Sequence, residues 1–140
     1  MDFNMVGPIL VLSLSSIGSS MGCYIAGAAS HAAMSRVEEG HGKFIGMSAA
    51  PASISIYGFI LMLLMSKSII AGTLSAVSGV AMGICAGGAL LITSVLMGRV
   101  CATGIQASAK EPAIFGKCFA AVGIIESIAL FVFVFSILLL

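Results

Sequence analysis

The chain has no tryptophan, only three prolines, and charge on just 8% of its 140 residues. A soluble domain carries about 25% charged residues. A water-solvated globular fold is therefore excluded, and most of the surface must face lipid. A net charge of +1 offers no cationic footprint for nucleic acid. The four cysteines, Cys23, Cys85, Cys101 and Cys118, show no C-x-x-C spacing and have no histidine at metal-ligand separation. They read as small hydrophobic residues, three in or beside apolar segments and Cys101 just inside a polar loop. No glycine-rich phosphate loop is present, so the chain is not expected to be an enzyme or to bind nucleotide or any other cofactor.

What the chain does have is apolar length, at 60% hydrophobic residues. A helix rises about 1.5 Å per residue and a bilayer core is about 30 Å thick, so about 20 apolar residues span it. The few charges mark the gaps between spans. Arg36, Glu38, Glu39 and Lys43 form one cluster, and Arg99, Lys110, Glu111 and Lys117 form another. Around them lie four apolar segments, 5–34, 44–66, 69–98 and 113–140, which predict an all-α membrane protein of four transmembrane helices. The opening "MDFNMVGPIL" lacks a basic leader and stays apolar too long for a secretory signal, so a retained first span is expected. Five of the six Lys and Arg residues fall in the two clusters, leaving Lys67 in the opposite turn. Basic residues favour the cytoplasmic side, which puts both clusters in the cytoplasm and both termini outside it. The short chain and minimal N-terminus favour a bacterial plasma membrane. His31 and His41, in or beside the first polar loop, read as exposed.

The halves echo one another. "GSSMGCYIAGAAS" resembles "SVLMGRVCATGIQAS", and "HGKFIG" resembles "FGKCFA". The order of small-residue helix, polar loop and apolar helix repeats, which points to a duplicated hairpin: residues 1–67, then 68–140. The odd-numbered spans carry small residues at four-residue spacing, Gly18, Gly22, Ala26 and Ser30 in the first and Gly79, Gly83 and Gly87 in the third. Lipid supplies no hydrophobic force between helices, so close backbone approach through such stripes holds them together. The even-numbered spans differ. The second carries Pro51, which removes a backbone hydrogen bond and should kink the helix. The freed carbonyl lies a turn earlier, near Met47, and nearby hydroxyls are expected to re-satisfy it; Ser53, Ser55 and Tyr57 follow Pro51 in the span.

The fourth span holds one charge, Glu126, in the run "CFAAVGIIESIALFVFVFSILLL". A charge at the bilayer centre costs at least about 2.5–3.5 kcal/mol. A salt bridge with a membrane-buried Lys or Arg of the same chain is not expected, because every basic residue reads as lying in a loop or at a helix end. Two readings stay open. Glu126 is a permanently protonated hydrogen-bond donor, or it alternates between occupied and empty and carries H⁺ or a metal cation. Intramembrane ionisable groups are functional candidates by default, and a carboxyl taken out of water favours its neutral form. One carrier site on a four-helix chain makes no complete path, so further subunits are implied.

These residues carry a resemblance. "IYGFIL" at 56–61, "GRVCATGIQASAKEP" at 98–112 and "ESIALFVFVFSILLL" led by Glu126 resemble the proteolipid of the membrane rotor ring in V/A-type rotary ATPases, and the likeness covers essentially the whole chain. The resemblance implies a homo-oligomeric ring turning in the membrane against a stator, with helices one and three inside, two and four outside. Gly18, Gly22, Gly79, Gly83 and Gly87 would pack the ring. Glu126 would exchange its ion with half-channels in a stator subunit whose arginine meets the ionised carboxylate. The loops "SHAAMSRVEEGHGK" and "GRVCATGIQASAKEP" would face a central stalk, and ATP chemistry would lie on other subunits.

In sodium-carrying members of that family the glutamate is joined by a hydroxyl and two glutamines. Here the hydroxyl is Ser53, while Ile54 and Met97 occupy the glutamine positions. That leaves Glu126, Ser53, Ser127 and the backbone carbonyl near Ala50. A bare alkali cation needs several oxygens to replace its water, whereas a proton needs one bond and an acceptor. The expectation is therefore H⁺, with Na⁺ as the alternative, for which a rotated Ser55 could substitute. A more distant alternative is a small proton-coupled multidrug exporter. Its glutamate would lie in the first helix, where this chain has no carboxylate beyond Asp2.

Overall fold

In the computed structural model, residues 3–140 are described; Asp2 lies outside them. A short 3₁₀ turn, Phe3–Met5, leads into helix α1, Val6–Met34. Helix α2, His41–Ala49, passes through a 3₁₀ turn at Ala50–Ala52 into α3, Ser53–Ile70. Helix α4 covers Ala76–Lys110, and a turn at Pro112–Ile114 starts α5, Phe115–Leu138. Taken with their turns, these make four helices long and apolar enough to cross a membrane: Phe3–Met34, His41–Ile70, Ala76–Lys110 and Pro112–Leu138.

The third span departs from the expected 69–98 at both ends, and the first hairpin's second helix runs past the 67/68 division. Residues 69–75 are apolar enough to look continuous with it, but they contain a stop and a start. Gly72 takes φ +76°, a left-handed conformation that ends α3. Ser75 caps α4, its Oγ accepting from the Ser78 N–H at 3.1 Å. At the other end, Arg99 and Lys110 suggested a loop, yet α4 continues through both. Its extension is amphipathic: Gly98, Cys101, Gly104, Ile105 and Ser108 are buried, while Arg99, Gln106 and Lys110 are exposed. Cys101 is therefore fully buried in a helix and not in a loop.

Helices α1 and α4 form the inner pair, lying parallel with their backbones almost touching. A Cβ placed on Gly18 would come within 2.6 Å of the Leu91 Cα. Gly7 meets the Gly79 carbonyl, Gly83 meets Gly7, and Gly22 meets both Gly98 and the Ser94 carbonyl. Gly87 packs on Val11 and Leu14. Gly79 itself turns toward the side chains of Ile69 and Leu74. The near-constant offset between facing residues of α1 and α4 is what superposed halves of a duplicated hairpin produce. Helices α3 and α5 pack outside this pair. The most apolar stretch of α5 is 17% buried against 39% for α4, and Ile124, Ile128, Phe131 and Phe135 stand exposed for lipid.

Most hydroxyls inside the spans are satisfied locally, while the buried Ser30 hydroxyl has no partner among the described residues. Ser15, Ser66, Thr93, Ser108 and Ser136 donate to carbonyls three or four residues back. This is the low-cost solution where no water is at hand.

Candidate functional site

Glu126 sits at the middle of α5, and it is the only Asp or Glu within the four spans. Arg99, contrary to the expectation that all basic residues sit in loops or at helix ends, lies well inside α4. Its side chain is exposed, and among the described residues Glu126 makes no ion pair with it. Glu126 is half-buried. Its partner is Tyr57 of α3, whose hydroxyl donates to Oε1 at 3.3 Å. The Tyr57 ring stacks on Phe133 of α5, with centroids 5.3 Å apart and planes at 23°. The hydroxyl is thus held at the carboxylate by a contact two turns along the helix that carries Glu126.

The break at Pro51 sets where α3 begins. The Met47 carbonyl, expected to be repaired by a hydroxyl, accepts the Ala50 N–H instead, and the nearby hydroxyls serve carbonyls in the turn. Ser53 donates to the Ala50 carbonyl at 3.0 Å and Ser55 to that of Ala52 at 2.8 Å. The Pro51 carbonyl accepts from Ser94 of α4 at 3.1 Å, and Ser94 also lies 3.4 Å from the Ser19 hydroxyl of α1. Ser94 is fully buried. One hydroxyl therefore ties both inner helices to the turn from which the Tyr57 helix departs.

The remaining predicted ligands have these places. Ser53 spends its donor on the Ala50 carbonyl of the preceding turn, and Ser127 on the Ile124 carbonyl of its own helix at 2.7 Å. Their oxygens keep acceptor capacity. The Ala50 carbonyl is occupied by Ser53. Ile54 and Met97, at the positions where glutamines would supply oxygens, are both fully buried. Among the described residues no cluster of three or more His, Cys, Asp or Glu could hold a metal ion. His31 is exposed, and so is His41, whose Nε2 lies 2.8 Å from the Val37 carbonyl.

Tyr57 is the residue that sequence reasoning left without a role at the carboxylate. Its signal is a phenol in an apolar span, one turn beyond Ser53, where a hydroxyl has to find a partner. Glu126 is the strongest acceptor that a neighbouring span could offer.

The family model of the ATP synthase C-subunit matches the chain twice, over residues 6–65 and 70–139, and the chain belongs to that family. Its two matches coincide with the two hairpins. The members are non-catalytic, ion-translocating proteolipids that assemble as rings with the other subunits of an ATPase complex. The chain is accordingly an integral, multi-pass membrane protein. A search of curated proteins returned no match.

Proposed function

We propose that this chain is the rotor-ring proteolipid of a V/A-type rotary ATPase, and that it translocates protons by reversible protonation of Glu126. The observation that carries this reading is one mid-membrane carboxylate for two hairpins. The first hairpin's spans, Phe3–Met34 and His41–Ile70, contain no Asp or Glu. A duplicated hairpin that keeps one carrier is the V/A-type pattern that the sequence resembles.

In this reading, Glu126 passes the stator subunit once per turn of the ring. It loses its proton to one half-channel and takes one from the other, and a stator arginine compensates the carboxylate in between. Between encounters the site is neutral and faces lipid at little cost. Moving one charge across 100 mV is worth about 2.3 kcal/mol, so successive sites supply the work of rotation. Tyr57 has two tasks: it shields the carboxylate from lipid and donates to it when it is ionised. The end of the bundle carrying Arg36, Lys43, Lys110 and Lys117 faces the cytoplasm and the central stalk, and both termini face away.

The choice of H⁺ over Na⁺ rests on the oxygen count. Glu126 has one side-chain partner, the Ser53 and Ser127 donors are engaged elsewhere, and Ile54 and Met97 bring no oxygen. A proton is satisfied by that set; a dehydrated alkali cation is not. The test is proton pumping by the whole complex in vesicles. Glu126→Gln should abolish ATP-driven acidification while leaving ring assembly intact, and Lys67→Gln should leave pumping unchanged. Pumping that survives Glu126→Gln would remove the carrier role.

A further inference from the structure

At the Arg36 end of the bundle, the last turn of α1 and the last two turns of α4 leave a cavity of about 590 Å³ between them. Its walls are small, including Ala32, Ala33 and Ala107, and its polar lining comprises Arg36, Gln106 and Lys110 together with Thr103. Thr103 spends its hydroxyl proton on the Val100 carbonyl at 3.0 Å. Free donors are therefore the Arg36 guanidinium, the Lys110 ammonium and the Gln106 amide. Among the described residues neither cation forms an ion pair, although Glu38, Glu39 and Glu111 lie nearby in sequence. A concave site with two unpaired cations, an amide and no engaged carboxylate selects an anion that accepts several hydrogen bonds, which is the chemistry of a phosphate group.

The depth of the cavity chooses the source of that phosphate. Helix α4 has 35 residues, with its midpoint near Thr93. At about 1.5 Å per residue, Thr103 to Lys110 lie roughly 15–25 Å from the midpoint. Half a bilayer reaches about 15 Å to the edge of its hydrocarbon and about 20–22 Å to the outside of its headgroups. Gln106 thus stands at headgroup level, and Lys110 lies about a turn beyond it, from where its long side chain reaches back. Basic pockets between spans on the cytoplasmic side are suited to anionic headgroups.

We propose that this cavity binds the phosphate of an anionic phospholipid. Arg36 engages it in a bidentate manner, Lys110 and Gln106 complete the set, and the acyl chains run along α1 and α4. The site is separate from Glu126 and independent of which ion that residue carries.

The experiment is native mass spectrometry of the intact ring, purified in mild detergent and exposed to equimolar phosphatidylglycerol and phosphatidylcholine. The wild-type ring should retain the anionic lipid selectively. Arg36→Gln and Lys110→Gln should each lower retention roughly fivefold, with ring mass unchanged, and Lys67→Gln at the other end should have no effect. Equal retention of both lipids, or undiminished retention in the double variant, would overturn the proposal. Displacement of the lipid by excess inorganic phosphate would assign the site to a soluble anion instead.

Discussion

The Tyr57 hydroxyl lies 3.3 Å from Oε1 of Glu126, linking α3 to α5 across the middle of the membrane. The hydrogen bond joins one residue from each hairpin, so the Glu126 carboxylate is positioned by the half of the chain whose spans lack a carboxylate of their own. A hydrogen bond to an ionised group is worth about 1.5–3 kcal/mol and favours the charged form. Tyr57→Phe removes the bond while keeping the ring that stacks on Phe133. The variant should assemble normally, and its Glu126 should react faster with a hydrophobic carbodiimide in the alkaline range. That reagent attacks the protonated acid. Unchanged reactivity would show that the phenol does not act on the carboxyl.

Ser94 is the second positioning residue. It is buried, and it donates to the Pro51 carbonyl at the break between α2 and α3. A buried hydrogen bond of this kind contributes about 0.5–1.5 kcal/mol. Ser94→Ala should lower the thermal dissociation temperature of the ring, and local hydrogen exchange should rise around residues 50–57. The same substitution at Ser127, whose bond is exposed and local, should change neither.

The glycines divide sharply by position. A methyl on Gly18 or Gly22 would meet the α4 backbone, which cannot yield without separating the two inner helices. Gly18→Ala and Gly22→Ala should therefore cost several kcal/mol and deplete assembled ring from the membrane fraction. Nothing lies within 4 Å of the equivalent methyl on Gly27 or Gly123. In those helices Ala should be neutral or stabilising by up to about 1 kcal/mol. Assembly measured by native gel, variant by variant, checks the division. Because Gly123 is open within a single chain, a strong assembly defect there would mean that the next copy in the ring packs against it.

How much of this was legible in the sequence differs from residue to residue. The four spans, the tight first and third helices and Glu126 could be read because each depends on composition along one chain. The start of α4 could not be read from hydropathy, since Gly72 and Ser75 act through backbone conformation and capping. The helical course of 99–110 was hidden because charge on one face masked the buried Cys101–Ile105–Ser108 face. Pro51 announced a break, but the carbonyls that Ser53 and Ser55 serve lie in the 3₁₀ turn and not near Met47, because the turn lets the Ala50 N–H satisfy Met47. Ser94 was not readable, because it arrives from forty-three residues away. Tyr57 stayed silent for the same reason: its meaning depends on Glu126, which only the packing of α3 on α5 brings near.

The central claim is that Glu126 is a proton carrier. It is tested most directly by carbodiimide labelling of the purified ring, read by mass spectrometry across pH with and without Na⁺. The account predicts one modified residue, Glu126, absent from the Glu126→Gln variant. Labelling should fall as pH rises, because the reactive acid form is lost, and Na⁺ should leave it unchanged. Protection by Na⁺ would contradict the proton assignment and place further oxygens around the carboxylate. No labelling at any pH would contradict the carrier role itself.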